Sequence, residues 1–99
     1  MKTTFAARHF EAKKDLQEYS MDAITKLEQF YDKIIACDVI LEPSQDHDNP
    51  CIAEVNVKVP KKLINASEKG KTYEQAINNV IDTASRQIRK YKTKHFEHN

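Results

Sequence analysis

Arg86, Arg89, Lys90, Lys92 and Lys94 place five cations within nine residues, with no acid between Ala84 and Phe96. Steps of three and four link Arg86, Arg89, Lys90 and Lys94, so on a helix these four share a face. Such a row matches the phosphates along a nucleic-acid backbone and can displace condensed counterions. A helix C-terminus favours cations through its dipole in any case. That effect accounts for one or two of them, and five exceed what the dipole needs. Lys58, Lys61, Lys62, Lys69 and Lys71 form a second basic set at strand ends. They read equally as further nucleic-acid contacts or as lysines guarding an exposed edge strand. Arg8 and His9 follow the first predicted strand and can reach a phosphate from a loop, although one loop arginine is usually only solvated. Lys13, Lys14, Lys26 and Lys33 sit among Asp15, Glu18, Asp22, Glu28 and Asp32, which is ordinary mixed helix charge.

Charge is distributed unevenly along the chain. Residues 1–57 carry six basic and eleven acidic side chains, a net of −5, and residues 58–99 carry ten and four, a net of +6. The total of +1 therefore conceals a basic C-terminal part suited to a polyanion.

Other chemistry finds little support. The only glycine is Gly70, so no glycine-rich loop can cradle phosphate. No G-x-S-x-G, H-E-x-x-H or motif-placed Cys–His pair is present, and no catalytic residue is expected. Asp46-His47-Asp48 and the pair His95 and His98 lack a third ligand at dependable spacing, so no metal or other cofactor is expected. Cys37 and Cys51 form no C-x-x-C and read as small buried hydrophobes. No apolar run is long enough for a membrane span, and no signal-peptide pattern is seen, so a cytoplasmic protein is expected.

The elements that must position the cations are legible from periodicity. Met1–Ala7 reads as a short strand with Thr3, Phe5 and Ala7 on one side. Lys13–Tyr31 has helical spacing, with Leu16, Tyr19, Ala23, Leu27 and Phe30 in a stripe that Ile24 and Tyr31 widen. Ile34–Glu42 alternates, with Ile35, Cys37, Val39 and Leu41 inward. Pro43–Pro50 is a polar connection. Cys51–Val59 alternates cleanly, with Cys51, Ala53, Val55, Val57 and Val59 inward. Pro60 and Lys61 mark a turn, and Lys62–Glu68 is a strand burying Ile64 and Ala66. Thr72 and Gln75 form a capping box that opens a helix running to about His95. Its stripe is Tyr73, Ile77, Val80, Ile81, Ala84, Ile88 and Tyr91. The predicted order is β-α-β-β-β-α, an α+β fold with a four-stranded sheet and two helices on one face, in a single domain over 1–99 with a frayed tail at 96–99. If both inward sets share that face, Cys37 lies opposite Val55 or Val57, too far from Cys51 for a disulfide.

Arg8-His9-Phe10-Glu11, the run from Leu16-Gln17-Glu18-Tyr19 through Lys26-Leu27-Glu28, and Tyr73-Glu74-Gln75-Ala76-Ile77 leading to Arg86-Gln87-Ile88-Arg89-Lys90-Tyr91-Lys92-Thr93-Lys94-His95 resemble the hibernation-promoting factor and ribosome-associated inhibitor A family. The resemblance covers almost the whole chain. It implies the same β-α-β-β-β-α fold, similar to double-stranded RNA-binding domains. It also implies a stress and stationary-phase factor that silences translation by filling the mRNA and tRNA channel of the small ribosomal subunit. By matching position, ribosomal RNA contacts fall to Lys26, Arg86, Arg89, Lys90 and Lys94, with Arg8 beside them. Lys58, Lys61, Lys62 and Lys92 are expected as additional contacts. The expected partners are the small subunit and a helper for ribosome dimerisation, with a monomer away from the ribosome. The chain departs from the family at Ala23 and Gln29, where further lysines are common, at Lys71-Thr72, which replaces an acidic helix start, and in its longer Pro43–Pro50 connection. It lacks the acidic tail of the inhibitor branch and the extra domain of long forms, which favours the short hibernation-promoting type. The competing expectations are a generic double-stranded RNA-binding module and a sigma-factor modulator acting by protein contact.

Overall fold

A computed structural model describes residues 1–96 of the chain, with the side chains of residues 1–94. The elements are β1 (Lys2–Ala7), α1 (Lys14–Thr25) continued by a 3-10 turn at Lys26–Gln29, β2 (Ala36–Pro43), β3 (Cys51–Val59), β4 (Lys62–Gly70) and α2 (Tyr73–Phe96). The strands form one sheet in the order β1-β2-β3-β4. β1 runs parallel to β2, and the other neighbours are antiparallel. The frayed tail expected over 96–99 lies outside the described residues apart from Phe96, the last helical position.

Strict alternation in β3 explains its match to the sequence pattern: Ala53, Val55, Val57 and Val59 are buried, while the residues between them face away. Cys37, Val39 and Leu41 of β2 and Ile64 and Ala66 of β4 join the same face. Ile24 and Leu27, and Ala76, Ile77, Val80, Ala84, Ile88 and Tyr91 of α2, close the core over it. Both helices therefore cover one face of the sheet. The hydroxyls of the buried Ser20 and Ser85 bond back to Leu16 O and Asp82 O, each at 2.8 Å, so neither polar group is stranded.

Cys37 lies opposite Val57, and Cys51 sits six positions further along β3. That is about 20 Å at strand rise, far beyond disulfide reach, and both thiols are free.

The expected long first helix ends early. α1 stops at Thr25, whose hydroxyl bonds back to Asp22 O at 2.7 Å, and the chain tightens into the 3-10 turn. Leu27 in this turn is fully buried, as is Ile24 in the last turn of α1, and Phe30 just after it is partly buried, so the tighter turn keeps the chain on the core. Ile35 was expected inward but is 49 % exposed, while Ile34 is 5 % exposed and belongs to the core. The two-residue phase begins only at Ala36, where pairing with Lys2 and Lys58 starts, so Ile35 precedes the alternating ladder. Tyr19 is also more exposed than a stripe residue. Its hydroxyl donates to Asn78 Oδ1 at 2.8 Å and ties α1 to α2 at their solvent edge.

Candidate nucleic-acid interface

Strand direction decides where the cations gather. β1 and β2 rise together, β3 descends, and β4 rises to Gly70, where α2 begins. α2 then descends across the sheet, so its C-terminal half returns to the end that holds the β3–β4 turn. The 3-10 turn after α1 reaches this end as well, because β2 starts there. Lys26, the Lys58–Lys62 turn and the Arg89–Lys94 segment are thereby collected from three separate stretches of sequence.

Two contacts fix this arrangement. Tyr91, buried under α2, donates its hydroxyl to Pro60 O, tying the helix to the β3–β4 turn. Lys61 in that turn has φ of 70°, the left-handed conformation a tight reversal requires. On the other flank the Arg89 guanidinium lies 4.7 Å from the centre of the Phe30 ring, a cation–π contact between α2 and the residue after the 3-10 turn.

The cations form a band. Lys58, Lys61, Lys62 and Leu63 line a shallow groove at the turn. Lys62 also joins Lys90 and Lys94 around a smaller cavity between β4 and α2. Lys90 and Lys94 in turn line a shallow depression with Arg89 and Thr93. Shared lining residues make these three concavities neighbours, in a row from the strand turn across α2 to Arg89. Arg89 and Lys94 are five residues apart, about 140° around the helix axis, so the row wraps the exposed side of α2 and does not run straight along it.

The remaining expected residues stand differently. Arg86 is exposed, but its guanidinium pairs with Asp82 at 3.4 Å and bonds the Thr83 hydroxyl at 3.3 Å, pulling it back along the helix. Lys92 is exposed and lines none of the three concavities. Lys26 is exposed on the 3-10 turn. Arg8 is not brought to the band. Its backbone N–H bonds Leu41 O at 2.8 Å. Leu41 is five residues along β2 from Ala36, the partner of Lys58, or about 17 Å.

That opposite end is closely packed. The Phe10 and Tyr73 rings stack at 4.5 Å, within 5° of parallel. A Cβ on Gly70 would stand 2.6 Å from Ala76 N, so only glycine lets β4 end this close to α2. Gln75 N donates to the Thr72 hydroxyl at 3.1 Å, as a capping box requires. The reciprocal bond goes one residue further out than expected, from Lys71 N to Gln75 Oε1 at 2.6 Å. The Asp46 carboxylate accepts from Asp48 N and Asn49 N and pairs with Lys69 at 3.9 Å, and these contacts hold its pKa below the usual value. Among the described residues no group of three or more His, Cys, Asp and Glu side chains is placed to hold a metal. The side chains of His95 and His98 lie outside the described residues. No described helix is long and apolar enough to cross a membrane.

Residues 3–95 match the family described as sigma 54 modulation protein / S30EA ribosomal protein. The chain belongs to this family. A ribosome hibernation promoting factor from Klebsiella oxytoca is 29% identical over 98 residues, covering 99% of this chain and 100% of that protein. A ribosome hibernation promotion factor from Deinococcus radiodurans is 27% identical over 94 residues, covering 93% of this chain and 49% of the relative, so the chain spans about half of that longer protein. Two solved structures share the fold. The N-terminal domain of Protein Y from Thermus thermophilus superposes with a TM-score of 0.77 at 20% identity, covering 92% of this chain and 99% of that one. A ribosomal subunit interface protein from Coxiella burnetii superposes at 0.84 and 19% identity, covering 94% and 99%. Within this S30EA family member, sequence reasoning named every basic residue of the band. It missed Phe30 and Tyr91 as the residues that aim them. Phe30 and Tyr91 lie in apolar stripes, and only their cross-element partners Arg89 and Pro60 reveal the second role.

Proposed function

We propose that the protein is a ribosome hibernation factor that silences translation by occupying the mRNA and tRNA channel of the small subunit. Lys26, Arg89, Lys90 and Lys94 meet ribosomal RNA phosphates, and Lys58, Lys61 and Lys62 extend the contact from the strand turn. Arg86 contributes after exchanging Asp82 for a phosphate, Lys92 adds peripheral charge, and Arg8 makes a separate contact from the other end. The observation that carries this reading is the row of neighbouring cation-lined concavities built by the β3–β4 turn and α2, with Lys26 exposed at the same end of the sheet and the elements held by Tyr91 and Phe30. The major groove of double-helical RNA is too deep and narrow for side chains to read, so affinity comes mainly from phosphates, 2′-hydroxyls and shape. The protein acts in the cytoplasm, as a monomer away from the ribosome, and a helper factor supplies any pairing of silenced ribosomes. No step needs catalysis or a cofactor.

Changing Arg86, Arg89, Lys90 and Lys94 together to Glu tests the reading. Co-sedimentation with small subunits and inhibition of initiation should both disappear, with the fold retained by circular dichroism because the buried stripe is untouched. In single variants each lost phosphate contact should flatten the log–log dependence of affinity on salt by about 0.7 to 0.9. A folded quadruple variant that still sediments with small subunits sinks the proposal. Equal affinity of the wild type for any RNA duplex would instead mark a generic duplex-binding module. Salt-independent binding to a protein partner would mark a sigma-factor modulator.

A further inference from the structure

Lys62 at the start of β4 and Lys90 and Lys94 on α2 converge on one cavity of about 170 Å³, lined otherwise by Ile64, Gln87 and Tyr91. No carboxylate is among these lining residues, and among the described residues none of the three lysines has an acid within ion-pair distance. Arg86, one turn before Lys90, does have one. Like charges at one concavity repel, and a surface built only for solubility would intersperse acids among them. The positions of the three are also imposed rather than adopted freely. The Tyr91–Pro60 hydrogen bond docks the β3–β4 turn on α2 and so delivers Lys62 to the two helix lysines. Gln87 lies three and four residues before Lys90 and Tyr91, and Lys94 lies four and three residues after them, so the helix presents all four as one strip.

We infer that this cavity is a discrete phosphate-binding pocket in which Lys62, Lys90 and Lys94 close on a single phosphate or pyrophosphate group. Three ammonium groups supply charge-assisted donors, and the Gln87 amide offers a neutral one. Ile64, 2 % exposed, and Tyr91, 4 % exposed, form a floor that keeps water from one side and strengthens those contacts. The phosphate has two possible sources with the same chemistry: the RNA backbone, where the pocket deepens and rests on the reading above, or a free phosphate-class anion, where it stands without that reading. The distinctive element is Lys62, because it brings a strand residue into what a helix row alone would otherwise hold.

Titrating pyrophosphate into the full chain at constant ionic strength, followed by backbone and side-chain NMR shifts, tests the pocket. Saturable shifts should concentrate at Lys62, Ile64, Gln87 and Lys90. Lys62→Gln should weaken pyrophosphate binding by about tenfold, the loss of one charge-assisted contact. Lys61→Gln makes the same charge change one residue away with its side chain outside the cavity, and should cost under about threefold, as an exposed charge does. Lys94→Gln repeats the test from the helix side, and melting curves confirm that each variant is folded. Equal losses for Lys61→Gln and Lys62→Gln, unsaturable shifts, or shifts spread evenly along the band overturn the pocket and leave only diffuse attraction. Competition with an RNA hairpin then separates the sources. Pyrophosphate that displaces the hairpin from the wild type but not from Lys62→Gln assigns the phosphate to RNA, and pyrophosphate that binds alongside it assigns a free anion. Sedimentation with small subunits in the same buffers reads the interface separately. Sedimentation without pyrophosphate binding sinks the pocket alone, and pyrophosphate binding without sedimentation sinks the ribosomal reading alone.

Discussion

At the end of the sheet where α2 begins, a loop ion pair, a capped helix start and close packing dominate. Asp46 meets Lys69, Gln75 and Thr72 satisfy the helix start, Phe10 stacks on Tyr73, and Gly70 leaves no room for a Cβ. At the end where α2 finishes, the same strands and helix carry Lys58, Lys62, Lys90 and Lys94 with no acid among the residues lining their concavities. Both ends rest on one continuous core, so the difference is not one of folding. One end turns its polar groups on itself, whereas at the other no ion pair engages these four lysines among the described residues. Like charges left together cost stability, and under the proposed function ribosomal RNA offsets that cost.

The largest expected effect tests whether the basic end depends on its floor. Leu27 lies in the 3-10 turn at that end and is fully buried. Leu27→Ala should cost about 2–5 kcal/mol through lost burial and the cavity left behind. Chemical denaturation measures it, and a loss under about 0.5 kcal/mol would show that the turn does not support the band.

Gly70→Ala is the counterpart at the packed end. The added methyl meets the backbone of Ala76, which cannot swing aside as a side chain can. Overpacking of this kind costs about 1–3 kcal/mol. The folded fraction should still bind RNA as the wild type does. Lost affinity in fully folded protein would mean that the two ends are coupled and the comparison is drawn too sharply.

One thiol marks each end. Cys51, half-buried, lies beside Gly70, and Cys37, fully buried, pairs with Val57 toward the basic end. Burial, with a smaller push from Asp38, raises the Cys37 thiol from 9.0 to about 12. Below pH 9 the folded and unfolded chains both keep this proton, and its contribution to stability is fully present. Above pH 9 the unfolded chain releases the proton while the folded chain holds it, so stability falls, by at most about 1.4 kcal/mol per pH unit. Burial raises Tyr31 and Tyr73 from 10.0, which steepens the fall at higher pH. Between pH 9 and 10 Cys37→Ala should flatten the decline in melting temperature, and at neutral pH iodoacetamide should label Cys51 well before Cys37. Equal labelling would show that the core under the cations opens readily.

The contrast between the ends was only partly legible in the sequence. Strong periodicity placed β3 and α2 closely, because a stripe or an alternation records which side faces the core. It could not place Ile35, which precedes the paired part of β2, or reveal that α1 tightens after Thr25. The helix cations were visible as a cluster, but Lys62 is 28 residues from Lys90, and only the antiparallel return of α2 brings them together. Arg8 failed to join them for the same reason in reverse. It sits at the wrong end of a parallel strand pair, which no local pattern encodes.

The smallest expected effect isolates aim from charge. Arg89→Lys keeps the cation but loses the planar guanidinium over Phe30, and an ammonium at this site is a better-hydrated, more mobile charge. Exposed cation–π contacts are worth about 0.5–1 kcal/mol, so affinity for small subunits should fall by about two- to fivefold. The salt dependence should stay unchanged, because the number of phosphates neutralised is the same. Phe30→Leu, which keeps an apolar side chain and removes the ring face, should produce a similar loss, and the two changes together should cost little more than either alone. Full additivity would mean that Arg89 and Phe30 act independently. A flattened salt slope in Arg89→Lys would mean that lysine no longer reaches its phosphate. Either result would remove Phe30 as the residue that aims this flank of the band and leave Tyr91, through Pro60, as the single fixed point.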